Sequence, residues 1–242
     1  VECRLWSLLP ERFAGVVLSP VAPLGTTSAL GSLDQNRVIS TVRGSEVVSD
    51  PTNPLAVEAA VRRSSGRRAD GRVDLAAAHR VIRGQVFEGP GLFAHFALFA
   101  LVSSGRDQGS GRTEAEMVVD HLRFYAAAVA AIAPAAAAEL TVSTFRRNAV
   151  DERLDELLPE VCRVGPNVTV QRDTERTHAR GYYTSHALAI GARHDDQLAD
   201  LGDGGLTDWT GRLLADAKER CLTSCISIER LAALAGPDER PG

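Results

Sequence analysis

Arg83, His95 and Phe96 stand within one short stretch, RVIRGQVFEGPGLFAHF, residues 80 to 96. An arginine presents a rigid, always-charged fork that suits phosphate or carboxylate. A histidine beyond the loop can donate to a further oxygen, and a phenylalanine can stack on a flat ring. The Gly-Pro-Gly between them lets backbone approach a ligand closely. The plainer alternative is that Arg83 pairs with a carboxylate such as Glu88 and that Phe96 is core. A second arginine, Arg230, lies in SCISIERL (224 to 231), where a strand runs into a helix. A cation at a helix N-terminus is unfavourable on dipole grounds, and an anionic ligand there removes the conflict. Two arginines on separate elements would clamp a polyphosphate from both sides.

Elements must hold these residues in place. Residues 5 to 14 read as a short helix and 15 to 20 as a strand ending at Pro20. Residues 21 to 36 read as loop, and RVISTV (37 to 42) as a strand by its β-branched content. Asp50, Pro51 and Thr52 open a helix that runs to 63. A hairpin follows, with strands near 79 to 87 and 93 to 103, then a turn and a long helix from 113 to 133. Strands are expected at 139 to 145, 167 to 173, 182 to 191 and 221 to 228, with helices at 151 to 161 and 229 to 235. DGGLTDW (203 to 209) reads as a tight turn feeding a helix to about Arg220, and the tail PDERPG as frayed. Hairpin-like groups of strands with helices between them predict an α+β fold with an antiparallel or mixed sheet. A single domain spanning 1–242 is expected.

Composition narrows the chemistry. The formal net charge of -4 argues against a nonspecific nucleic-acid binder. Lys218 is the only lysine, so there is no lysine-bearing phosphate loop, and a Schiff-base role would fall on a residue in a polar helical run. No G-x-G-x-x-G and no C-x-x-C occurs. Cys3, Cys162, Cys221 and Cys225 read as thiols in a reducing compartment, and no metal site is expected. His178 and His186, flanking the Tyr-Tyr pair, read as packing or surface histidines, and Arg62, Arg63, Arg67 and Arg68 as solvated. The longest apolar run, Phe93 to Val102, is too short to span a bilayer, and a cytoplasmic location is expected.

Taken in order, these segments resemble the class II aminoacyl-tRNA synthetases, with histidyl-tRNA synthetase and its paralogue, the ATP phosphoribosyltransferase regulatory subunit, as the nearest members. The arginine strand with its His-Phe return resembles motif 2, and the strand-helix with Glu-Arg-Leu resembles motif 3. FAGVVLSP resembles the motif 1 strand, and VVSDPTNPLAVEAAVR the L-R-P-E-x-T segment. ARGYYTSHALAI resembles the histidyl R-G-L-D-Y-Y signature, and DGGLTDWTGRL the G-G-R-Y-D-x-L segment. The resemblance implies an antiparallel class II synthetase-type sheet flanked by helices, in a homodimer. It implies ATP with Mg2+: Arg83 on the α-phosphate, Gln85 near the adenine amino group, His95 on the outer phosphates, Phe96 against adenine and Arg230 on the γ-phosphate. Thr52, Arg180, Tyr182, Tyr183 and Asp208 would line the amino-acid pocket. No anticodon-binding domain is expected, so the acceptor would be something other than a complete tRNA: a small amine, a carrier or a peptide. The expected activity is ATP-dependent adenylation of an amino acid or similar small carboxylate. Gln85 in place of the family's glutamate, with Thr223 and Ser227 in place of motif 3 glycines, motivates a second reading: a non-catalytic regulatory subunit acting with a partner enzyme.

Overall fold

The computed structural model describes residues 1–31, 34–65, 71–84 and 93–236. Gln85, Glu88, Arg67, Arg68, the end of the strand expected at 79 to 87 and the tail from 237 lie outside the described residues.

An eight-stranded sheet organises the chain in the order β1-β4-β5-β10-β9-β8-β6-β7. Its strands are β1 (Phe13–Gly15), β4 (Val73–Ile82), β5 (His95–Arg106), β6 (Ala137–Thr144), β7 (Val168–Asp173), β8 (His186–His194), β9 (Gln197–Thr207) and β10 (Glu219–Ser227). β2 (Val21–Pro23) and β3 (Ser45–Val47) form a separate small ladder. The expected antiparallel sheet is in fact mixed. Its central neighbours are antiparallel, but β1 pairs β4 and β6 pairs β7 in parallel. The physical reason is connectivity. Helix α5 (Ala149–Cys162) carries the chain from β6 back to the same end of the sheet, and such crossovers yield parallel neighbours.

Helices cover both faces, so the central strands are apolar almost throughout. In β5, Phe99 and Leu101 face one way while Leu98, Ala100 and Val102 face the other. The first face packs under α4 (Arg112–Ile132) through Met117, Leu122, Tyr125 and Val129. The second packs under α3 (Thr52–Ser64) through Leu55, Ala56 and Ala59, with Trp209 beside them. The remaining helices are α1 (Glu2–Leu8), α2 (Thr26–Gly31), α6 (Trp209–Leu214) and α7 (Ile228–Leu234). Among the described residues no helix is long and apolar enough to cross a membrane.

Several expected elements shift. α1 ends before Pro10, which cannot continue a helix. The strand expected at 15 to 20 is only the short β1, and the expected loop 21 to 36 contains β2 and α2. RVISTV is not a strand: a 3-10 turn occupies Gln35–Arg37, and only Ser40 makes an isolated bridge, to Glu46. The turn expected at 203 to 209 is mostly strand, the end of β9, and α6 stops at Leu214 instead of near Arg220.

Candidate functional site

Five strands (β4, β5, β8, β9 and β10) and one helix (α7) contribute to a cleft of about 740 Å3 at one end of the sheet, within the ~300–1,000 Å3 usual for small-molecule sites. The β4–β5 hairpin supplies its first wall. The Arg83 N–H donates to Ala94 O at 2.8 Å, which carries the ladder one residue past β4. Its side chain is held by Nε donating to Ser49 O at 3.2 Å, with the guanidinium centre 5.0 Å from the Phe96 ring centroid. The two Nη groups make no hydrogen bond among the described residues. His95 opens β5, with Nδ1 3.4 Å from Arg80 Nη1.

β10 and α7 form the second wall. Ser227 caps α7, its Oγ accepting from the Arg230 N–H at 3.3 Å. Glu229 ties α7 to the hairpin: its carboxylate accepts the Ala97 N–H at 2.9 Å and Arg80 Nη2 at 3.0 Å. Arg230 Nη1 donates to Asp200 at 2.9 Å (carbonyl) and 3.1 Å (carboxylate). Asp200 is 77% exposed, so this pair is weakly held and open to exchange for a ligand.

The floor holds opposite charges close together. Arg176 is only 8% exposed, donates to Leu188 O at 3.3 Å, and has a buried Nε with no partner among the described residues. Its Nη2 lies 3.9 Å from Asp203 Oδ2. Burial raises the Asp203 carboxyl above the ordinary aspartate range; the Asp50 charge adds to this, while Arg176 and a hydrogen bond from Tyr183 oppose it. Although dense protein surrounds it, half of the Asp203 side chain (52%) opens to the cleft. Burial pushes the Cys225 thiol well up, reinforced by Asp50 and Asp203, so it is protonated and a poor nucleophile.

The structure brings Arg83, His95, Phe96 and Arg230 to this one cleft, as their spacing predicts. Tyr183 lies just behind it. Its ring lies on Gly205, where any Cβ would come within 2.5 Å of it, so that close approach requires glycine. Thr52 is buried at the start of α3, its hydroxyl donating to Asp50 Oδ1 at 2.7 Å. Tyr182 forms a packing layer, edge-on to Tyr183 at 4.9 Å and to Trp209 at 5.5 Å. The two tyrosines are in a loop, not a strand: positive-φ Ala179 and Gly181 turn the chain, and β8 begins only at His186.

Thr52, Tyr182 and Tyr183 therefore do not line the cleft itself, and neither do the other two residues expected at the amino-acid pocket. Arg180 is exposed, donates to Arg176 O at 3.3 Å and lies over the Phe145 ring. Asp208 is at the opposite end of β9, 3.6 Å from Arg212. It precedes α6 without capping it through its side chain. The residue that sequence reasoning missed is Arg176, whereas Asp203, which the sequence offers with Asp208 for an α-amino group or a helix cap, does line the cleft. The clue was present: THARGYY offers one arginine inside the motif, but TERTHAR places another four residues earlier. His178 lines the cleft, whereas His186 is fully buried with Nε2 3.2 Å from Asp151, and burial lowers its pKa.

No protein-family model and no curated protein matches this sequence. Solved structures do match. Histidyl-tRNA synthetase of S. aureus superposes with TM-score 0.69 at 13% identity, covering 96% of this chain and 64% of that one. An ATP phosphoribosyltransferase regulatory subunit/histidyl-tRNA synthetase from Bacillus halodurans gives TM-score 0.68 at 10% identity, covering 97% and 79%. A histidine--tRNA ligase subunit from Alicyclobacillus acidocaldarius gives 0.62 at 14%, covering 99% and 92%. The chain therefore has the α+β fold of the class II aminoacyl-tRNA synthetases. Within that class its neighbours include histidyl-tRNA synthetase and the ATP phosphoribosyltransferase regulatory subunit, and the chain spans just under two thirds of the S. aureus enzyme.

The cleft suits a phosphate-bearing ligand: among the described residues the Nη groups of Arg83 and the Nε of Arg176 have no hydrogen-bond partner. Among the described residues no group of three or more His, Cys, Asp or Glu is placed to hold a metal. A magnesium ion here would be held mainly by ligand phosphates and water, the usual habit of that ion.

Proposed function

We propose that this chain activates an amino acid or similar small carboxylate as its adenylate, for an acceptor other than a complete tRNA. The supporting observation is that Arg83 and Arg230, from separate elements, line one cleft whose floor carries Arg176 and Asp203. Arg83 would neutralise the α-phosphate as a carboxylate oxygen attacks phosphorus and the bond to pyrophosphate breaks. Arg230 would leave Asp200 to hold the departing phosphates, with His95 beside it. Asp203, backed by Tyr183, Asp50 and Thr52, would take an ammonium group, and Arg176 the carboxylate. Mg2+ bound with ATP would neutralise phosphate charge. Such transfers depend mainly on positioning and charge neutralisation. Arg83→Ala should lower ATP–pyrophosphate exchange by about 10²–10³-fold, the usual loss for one preorganised donor. Exchange at the original rate would refute the assignment. We further propose a homodimer as the working assembly.

A second reading has its own observation. The Arg83 guanidinium lies against the Phe96 ring that would stack on adenine, and Arg230 is already engaged by Asp200. Both features favour a regulatory subunit that binds an amino acid and acts through a partner enzyme. Calorimetry separates the two. ATP binding strengthened by one amino acid supports activation; amino-acid binding with no ATP binding supports the regulatory role.

A further inference from the structure

A second groove, of about 800 Å3, opens at the other end of β8, β9 and β10. It shares no residue with the cleft. We propose that it binds a small organic phosphate carrying hydroxyl or amino groups.

Charge bookkeeping along its wall points to an anion. Arg220 is taken by Glu114 and Asp107, each at 2.7 Å. Glu219 is taken by Arg63, and Asp208 by Arg212. Asp216 accepts Arg106 at 2.7 Å. Arg146 and Arg147 remain, exposed on the β6–α5 loop, and neither side chain makes an ion pair or hydrogen bond among the described residues. They lead into the N-terminus of α5, a 14-residue helix whose positive end adds to their field. Two unpaired guanidiniums match a phosphate monoester, which carries a charge of about −1.5 to −2 near pH 7, better than they match a single carboxylate.

The floor supplies an independent observation. Thr207 is 5% exposed, lines the groove, and its Oγ1 has no hydrogen-bond partner of normal geometry among the described residues. Its polar neighbour is the buried Cys221 thiol, a weak partner at best. Glu114 Oε2, also on the wall, is buried and equally unpartnered. Buried polar atoms are normally satisfied. A buried hydroxyl and a buried carboxylate oxygen without partners, lining the same groove as the two arginines, fit a ligand with donors as well as an anionic end.

The test uses ribose 5-phosphate and inorganic phosphate as probes, with ribose and acetate as controls, at fixed ionic strength. Binding is read by calorimetry on the full chain, its Arg83→Ala form and the exposed-site double variant Arg146→Ala/Arg147→Ala. Saturable ribose 5-phosphate binding that survives Arg83→Ala and weakens by at least about tenfold in the double variant supports the site. Thr207→Val should weaken ribose 5-phosphate more than inorganic phosphate. Binding that is lost in Arg83→Ala yet unchanged in the double variant would place every anion in the cleft and overturn the proposal. Acetate binding as tight as phosphate, or no saturable binding of either phosphate probe, would overturn it too. Because Arg83→Ala is the cleft's own control, this result and the fate of the adenylation reading are separable.

Discussion

The Asp203 carboxyl is raised above the ordinary aspartate range by burial first and by Asp50 second. Its folded-state pKa exceeds its unfolded value, so the folded state disfavours the charged form. The penalty is absent below about pH 4, grows as pH rises through the raised value, and is fully present above it. Asp203→Asn should therefore raise the urea midpoint at neutral pH and give no gain at pH ~3. An equal gain at both pH values would show that the charge is not responsible. Ser227 shows the reverse economy. Standing where the resembled motif 3 has a glycine, it lines the cleft and also caps α7. Ser227→Ala should cost about 1 kcal/mol, but Ser227→Gly only a few tenths, because glycine is itself tolerated at N-caps. Urea unfolding of the two variants checks this, and equal losses would mean that the hydroxyl does not cap.

At the scale of elements, one buried ion pair joins the end of α3 to the start of β10. Arg63 Nε and Nη2 meet Glu219 at 2.5 and 3.1 Å, with both side chains 2% exposed. Ser104 adds a hydrogen bond to Glu219 at 3.1 Å. Removing one partner leaves a buried charge alone, so Arg63→Ala or Glu219→Ala should each cost about 3–5 kcal/mol, while Arg63→Met/Glu219→Leu should cost less than either. Single variants within ~1 kcal/mol of wild type in urea unfolding would show that water reaches the site. Nothing in the sequence marked Arg63, which reads as one of several solvated arginines, because burial depends on where α3 docks. α3, α4, α5 and β5 were legible, since periodicity and caps are local signals, but β4 begins at Val73, six residues before the strand expected from 79. β9 was not legible. Asp-Gly-Gly reads as a turn, yet Gly202 and Gly204 lie in mid-strand, where a Cβ would meet the β10 backbone at 2.0 Å and Ser224 at 2.4 Å. Those glycines serve close approach, a nonlocal demand. The cleft was legible at Arg83, His95, Phe96 and Arg230, which lie on or next to the regular elements β4, β5 and α7. It failed at Arg180 and Asp208, which follow turns and helix ends whose geometry the sequence does not specify.

Across the whole molecule, one continuous sheet separates two apolar clusters, and a buried polar thread ties it to α4. Ser103 donates to Asp74; His121 lies 2.9 Å from Ser103 and 2.7 Å from Ser224; Tyr125 lies 2.7 Å from Ser224. Burial, aided by Arg72 and Arg12, keeps His121 neutral, so the thread needs no buried cation at its centre. It joins α4 to β4, β5 and β10, the strands that also carry the α3 face. Neither cluster can therefore open without exposing the other. The two tryptophans report on the two faces. Trp6 is edge-on to Phe99 at 4.9 Å on the α4 face, and Trp209 is buried beside α3. Trp6→Phe and Trp209→Phe each leave one reporter. In urea, each single-tryptophan form should show the same midpoint by fluorescence as by far-ultraviolet circular dichroism. That coincidence is the signature of one cooperative unit. Distinct midpoints for the two signals within either form would mean that its tryptophan-bearing face melts by itself, and that the sheet does not couple the α3 and α4 layers.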